Sequence, residues 1–404
     1  MPPSDAGRDP AEATASGKAA GPLAGIRVIE VAGLGAGPYT AMMLADFGAD
    51  VIRVDRPGTR TAQPEKYALS RGRRSIIIDM KQPDGLAAFM TLAERADVLL
   101  EGFRPGVAER LGFGPDECLA RNPRLVYGRM TGWGQQGPMS QMAGHDLNYL
   151  ALTGALTLLQ RRPGSRPVTP PGLLADFGGG GLMLAFGVVC GLLEARRSGT
   201  GQVIDAAMTD GVASLTTLIY SMTAQGRWVD QPGVNFCDGG SPYYDSYATS
   251  DGRYVVVAAI EPQFYAALLE KLGLSPTDLP DRDNKANWPR LKKLFADIFI
   301  TRSRDEWTEL FDGSDACVTP VLTFSEAPGH PHNAARGTMV GAFGVTQPAP
   351  APRFSRTPGA IAGPPPAPGA QSAEILLAWG FPAENVDELL ATGAVLGQTG
   401  DVSG

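Results

Sequence analysis

Ile26-Arg27-Val28-Ile29-Glu30-Val31, then Ala32-Gly33-Leu34-Gly35-Ala36-Gly37-Pro38, then the apolar stretch 39–47 stopped by Gly48, decide how this 404-residue chain folds. The first run is rich in β-branched residues and reads as a strand. The glycine-rich turn after it leads into a helical pattern, and residues 50–54 read as a second strand. Two parallel strands can be joined only by a crossover, and a helix between them makes a βαβ unit.

Working outward, the same rhythm repeats. Residues 75–80, 98–101, 125–130 and 202–206 read as strands, with helices over 85–96, 182–195 and 210–222. Alternation of this kind predicts an α/β fold with a parallel, doubly wound sheet whose functional loops lie outside the carboxyl ends of the strands. Beyond Trp228 the texture changes. Residues 239–247 are turn-rich and aromatic, 254–259 form a β-branched strand, and 263–272, 288–300 and 304–311 have helical spacing. A smaller α+β domain is therefore expected over 230–325. The proline-rich run 348–368 should be extended, with a terminal helix over 370–379.

Composition narrows the function classes. A net charge of −7 argues against a general nucleic-acid footprint. Cys118, Cys190, Cys237 and Cys317 are far apart and form no C-x-x-C pair, so reduced thiols in a cytoplasmic protein are expected, and no metal. Residues 1–21 have no apolar centre and read as a disordered leader, and the chain ends without a peroxisomal address. No membrane span is expected, 180–193 being read as a buried helix. The turn spacing G-x-G-x-G-P is not the dinucleotide fingerprint, and Pro38 removes a backbone N–H where the helix begins. A nicotinamide reading, which would use Asp55 for the ribose, is set aside.

Two titratable side chains stand out. His145 is the only histidine in the first 329 residues and lies in Gly144-His145-Asp146; Asp176 lies in an apolar segment followed by Phe177 and four glycines. The residues alone leave His145 open between a proton-transfer group and a hydrogen-bonded filler. They leave Asp176 open between a part-buried acid/base and a helix N-cap. The glycines after it could offer backbone N–H groups to an oxyanion at a helix start. Glu261, after the strand at 254–259, either orients an imidazole or opens a helix. Tyr243, Tyr244 and Tyr247 line a pocket or fill a core. Arg53, Arg56 and Arg104 sit at or after strand ends, where forked donors match phosphate oxygens, and Arg110 adds to a locally basic first 110 residues.

Taken together, several motifs resemble the family III CoA-transferase superfamily, and within it the branch of 2-methylacyl-CoA racemases. They are Leu23-Ala24-Gly25-Ile26-Arg27-Val28-Ile29-Glu30, Phe103-Arg104-Pro105-Gly106-Val107, Gly132-Trp133-Gly134-Gln135, Gly144-His145-Asp146, Asp176-Phe177-Gly178-Gly179-Gly180, Gly239-Gly240 with Pro242-Tyr243-Tyr244, and Glu261-Pro262-Gln263-Phe264-Tyr265. The resemblance implies a large Rossmann-like coenzyme A-binding domain at 22–229, a small domain at 230–325, and a segment 326–404 returning to the large one. It also implies an interlocked homodimer with sites shared between chains.

On the same resemblance, His145, Asp176 and Glu261 are the site residues. Arg53, Arg56, Arg104, Arg110, Gly144, Asp146 and Tyr149 would contact coenzyme A, which belongs to the substrate and is not a separate cofactor. The racemase branch uses the aspartate and histidine as an acid/base pair, and the transferase branch uses the aspartate as a nucleophile. The presence of His145 favours epimerisation at C2 of a 2-methylacyl-CoA, with transfer of CoA between carboxylic acids as the alternative.

Overall fold

The computed structural model describes residues 21–398. The expected leader therefore lies, but for Gly21, outside the described residues. The chain divides into two compact units: one of residues 21–143, Ala175–Gly211 and 337–398, the other of Gly144–Leu174 and Val212–Arg336.

In the first unit, β1 (Arg27–Val31), α1 (Ala36–Asp46), β2 (Asp50–Asp55), β3 (Arg74–Ile78), α2 (Pro83–Glu94), β4 (Val98–Glu101), α3 (Val107–Arg110), α4 (Pro115–Arg121) and β5 (Val126–Thr131) follow in order. After α5 (Asp146–Leu152), which belongs to the second unit, comes a wide π-helical segment, Leu173–Leu182. It runs into α6 (Met183–Ser198) and then β6 (Gln202–Ala207). The strands pair as β3-β2-β1-β4-β5-β6, all parallel. The order reverses between β1 and β4, which is the topological switch point of a Rossmann-like sheet.

Both faces are covered, so the strands are nearly continuously apolar. Ile29, Val31, Ile52 and Leu99 join one core with Phe89, Leu92 and Trp379, while Val28, Val51, Val98 and Leu100 join another with residues of α1 and α6. The strand period of two sends alternate residues to opposite faces.

In the second unit, α7 (Met208–Leu215, whose first residues belong to the first unit) and α8 (Thr217–Ala224) replace the single helix expected at 210–222. The break is at Thr216, whose hydroxyl donates to the Ala213 carbonyl at 2.8 Å and competes with the helical ladder. An antiparallel sheet of β7 (Tyr244–Ala248), β8 (Tyr254–Ala258) and β9 (Val318–Pro320) packs with α9 (Pro262–Lys271), α10 (Trp288–Phe299) and α11 (Arg304–Phe311). The strand β7 falls where turns were expected. Its alternation is concealed in sequence because inward-facing Asp245 is buried in ion pairs with Arg161 and Lys292. Tyr243 and Tyr247 are core residues. The short α12 (Pro331–Arg336) ends the unit.

The hairpin β10 (Met339–Ala342) and β11 (Val345–Pro348), then α13 (Ser372–Ala378), α14 (Ala383–Ala391) and β12 (Val395–Leu396) belong to the first unit. The last strand adds antiparallel to β3. Buried Trp379 donates from Nε1 to Asp50 at 3.0 Å, fixing the tail to the sheet. The division differs from an uninterrupted 22–229: the segments 144–174 and 212–229 hold no strand of the large sheet, and helical spacing does not say which core a helix joins. Among the described residues one helix, Leu173–Ser198, is long and apolar enough to cross a membrane. That signal is weak, since core helices of soluble proteins share it, and the buried side of α6 packs on β5 and β6.

Candidate active site

The glycine-rich turn after β1 ends at Gly35, which caps α1 with φ 68° and ψ −117°. Only glycine adopts that conformation without strain. Asp176 is half-buried and presents its carboxylate to this turn: a β-carbon at Gly35 would lie 3.2 Å from Oδ2. The acid thus sits at the head of α1, at the sheet's switch point.

The four glycines explain how it gets there. A β-carbon at Gly181 would stand 2.7 Å from Tyr39 and 2.9 Å from the Ala36 carbonyl, and one at Gly180 would stand 2.9 Å from Met208. Glycine lets the π-helical segment press against α1. The Thr40 hydroxyl then donates to the Gly181 carbonyl at 2.8 Å, and the Phe177 ring meets Tyr39 at 4.9 Å. This corrects two expectations. The helical segment begins at Leu173, so Asp176 lies inside its first turn and is not an N-cap. Gly179, Gly180 and Gly181 are buried packing positions and not oxyanion donors; of the four glycines only Gly178 is partly exposed.

His145 and Glu261 belong to the second unit. His145 precedes α5 in extended backbone, with its N–H held by Asn148 Oδ1 at 3.0 Å and its side chain exposed. Tyr149 buries its ring and donates from its hydroxyl to the Gly144 carbonyl at 2.5 Å, while Asp146 is buried in the first turn. Those contacts shape the histidine loop from beneath. Glu261 occupies the N-cap of α9, yet its exposed carboxylate accepts no capping hydrogen bond. Within one chain no hydrogen bond joins it to His145, among the described residues.

The arginines part company. Arg56, Arg104 and Arg110 are exposed, and Arg110 folds its guanidinium 3.2 Å from the β-carbon position of Gly106. Arg53 is mostly buried, paired with Asp55 at 3.0 Å and donating to Ser70 at 3.2 Å. Residues two apart on a strand share a face, so Asp55 claims Arg53 and, being buried against Ser75 as well, is no ribose ligand. Desolvation raises the Asp55 carboxyl above its ordinary value, against the pull of Arg53.

Sequence reasoning missed the buried ion pairs beneath the loops. Glu101, at the end of β4, accepts from Arg129 at 2.8 Å and from the Phe103 N–H at 2.6 Å, and Arg129 also reaches Glu109 at 2.8 Å. The network fixes the loop carrying Arg104 and the start of α3. Glu30 and Arg73 form a second buried pair.

The chain matches CoA-transferase family III over residues 23–372. It is 47% identical to alpha-methylacyl-CoA racemase of Mus musculus, over 91% of this chain and 96% of that protein. The human alpha-methylacyl-CoA racemase is 46% identical with the same coverage. Among solved structures, a CAIB/BAIF family protein from Brucella suis superposes with TM-score 0.76 at 26% identity, covering 89% of this chain and all of that one. Rv3272 from M. tuberculosis superposes with TM-score 0.73 at 28% identity, covering 88% and 99%. The family model spans most of the chain and the relatives match it over nearly their full length: the chain belongs to CoA-transferase family III.

Proposed function

We propose that this chain is an alpha-methylacyl-CoA racemase, interconverting (2R)- and (2S)-2-methylacyl-CoA thioesters by proton transfer at C2. The observation that carries the reading is the Asp176 carboxylate held against Gly35 at the switch point of the sheet. Near-full-length similarity to two racemases, and the histidine of Gly144-His145-Asp146, support it.

A thioester acidifies its α-hydrogen because the resulting enolate places charge on the carbonyl oxygen. Neutral His145 takes that hydrogen from the S epimer. The C–H electron pair moves into the C1–C2 bond, the carbonyl pair moves onto oxygen, and backbone N–H donors near Asp176 meet the oxyanion. Protonated Asp176 then returns a proton to the opposite face, giving the R epimer. The reverse turn exchanges the roles, so the equilibrium constant lies near one. Each donor to the oxyanion contributes about 3 kcal/mol in the transition state. Arg56, Arg104 and Arg110 offer exposed guanidiniums to the phosphates of coenzyme A, and Arg53 acts by holding the strand end. Gly144, Asp146 and Tyr149 shape the loop against the thioester.

The working form is an interlocked homodimer in which Glu261 of one chain orients His145 of the other. An exposed apolar stripe of Leu182, Phe186, Val189 and Leu193 supports a protein-covered face on α6. The well-separated cysteines support a cytoplasmic location, which cell fractionation tests.

Incubation of either epimer in deuterium oxide decides the chemistry. Racemisation predicts deuterium at C2 together with epimerisation, for both a short and a sterol-derived tail. The transferase alternative predicts no exchange, a mixed thioester when a second free acid is added, and capture of an Asp176 anhydride by hydroxylamine. Turnover without exchange at C2 rejects the racemase mechanism.

A further inference from the structure

Arg282 lies between α9 and α10 in Asp281-Arg282-Asp283. Its side chain is only 15% exposed, and the carboxylate of solvent-facing Asp283 stands 3.8 Å away. The donors go instead to backbone: to the Ile260 carbonyl at 2.8 Å and the Ala259 carbonyl at 3.4 Å. Its Cζ lies 4.5 Å from the Tyr265 ring centroid and 4.9 Å from that of Tyr243, two rings set edge to face at 77°, so the cation sits in the corner between them. The buried Tyr265 hydroxyl has no hydrogen-bond partner among the described residues. The Arg282 backbone is pinned in turn, its carbonyl accepting from Trp288 Nε1 at 2.7 Å.

The two carbonyls so held immediately precede Glu261. Behind Glu261, Pro262 restricts it to extended backbone, and it is found at φ −69° and ψ 147°. Its own carbonyl accepts from the Tyr265 N–H at 3.0 Å. The main chain is thus fixed on both sides of a side chain that no cap contact restrains.

We infer that Arg282 is a positioning residue: it clamps the Ala259–Ile260 turn and so sets the direction in which the Glu261 carboxylate points. This rests on the reading of Glu261 as the group that orients His145.

The test uses the full-length protein and an (S)-2-methylacyl-CoA, following epimerisation and C2 deuterium exchange. Arg282→Ala lowers kcat about tenfold to thirtyfold with KM within about twofold, because orientation and not substrate binding is lost. Arg282→Lys, which keeps a cation and one donor, restores kcat to within about threefold. The double variant with Glu261→Gln is no slower than Glu261→Gln alone, since both act through one group. The inference is overturned if Arg282→Ala runs within about twofold of wild type while Glu261→Gln is slow, or if the two losses multiply. A Glu261→Gln variant at wild-type rate instead removes the Glu261 reading, a result distinguishable from either. If Arg282→Ala does not fold, Arg282→Lys carries the test: its loss must vanish in the Glu261→Gln background.

Discussion

The carboxylate of Asp176 rests on Gly35, so near that a single added methyl at the glycine would stand 3.2 Å from Oδ2. Two constraints meet there, a backbone conformation reserved for glycine and the seat of the proposed acid. Gly35→Ala therefore destabilises the fold by about 1–3 kcal/mol through backbone strain. It also displaces the carboxylate by a fraction of an ångström to an ångström, which lowers kcat by about tenfold to a hundredfold. Thermal melts and the exchange assay read the two effects separately. Full activity in a destabilised variant would show that the contact is structural only.

His145 and Asp176 serve opposite faces of C2 in the proposed mechanism, so their removal should be asymmetric. His145→Ala loses epimerisation by about 10²- to 10⁴-fold, yet retains deuterium exchange from the R epimer, where Asp176 is the base. Asp176→Asn gives the mirror result, with exchange surviving from the S epimer only. Proton NMR of each epimer in deuterium oxide measures both. Equal loss of exchange from both epimers in either variant contradicts the division of faces.

The first βαβ unit was legible because each of its signals is local: β-branched runs, a glycine turn, and a helix stopped by Gly48. Asp176 was legible for a related reason, as one carboxylate in an apolar surround. The role of its glycines was not, because the partner of Gly181 is Thr40, 141 positions away, and close packing leaves no mark in either segment alone. Arg53 is an instructive miss. The spacing of Arg53 and Asp55 already places both on one face of β2, and the strand period would have paired them. Arg282 could not have been found, since its ring partners and carbonyl acceptors converge only in the folded second unit.

Leu182, Phe186, Val189 and Leu193 recur at helical spacing and are 48%, 67%, 37% and 63% exposed. A stripe of that kind on one helix face is the expected signature of a covered surface. Phe186→Glu combined with Leu193→Glu should convert the proposed dimer to monomer, read by light scattering after size exclusion. Activity should fall with it, because Glu261 and His145 are assigned to different chains. A monomeric variant with wild-type turnover would remove the shared-site arrangement.

One carboxylate should contribute a measurable part of the acid stability of the second unit. Glu326 accepts from Arg304 at 2.9 and 3.0 Å and from the Thr323 N–H at 2.9 Å. Those bonds, Arg304 foremost, lower its pKa from 4.5 to about 2. A carboxylate depressed in the folded state binds fewer protons there than in the unfolded chain, so stability rises with pH across that interval. The contribution is complete above 4.5 and is lost as pH falls through about 2. Against wild type, Glu326→Gln should therefore melt lower by a constant margin at neutral pH. The margin should narrow below 4.5 and close near 2. Melts by circular dichroism over that range check it, and a margin that stays the same at every pH would show that the ion pair adds nothing to folding.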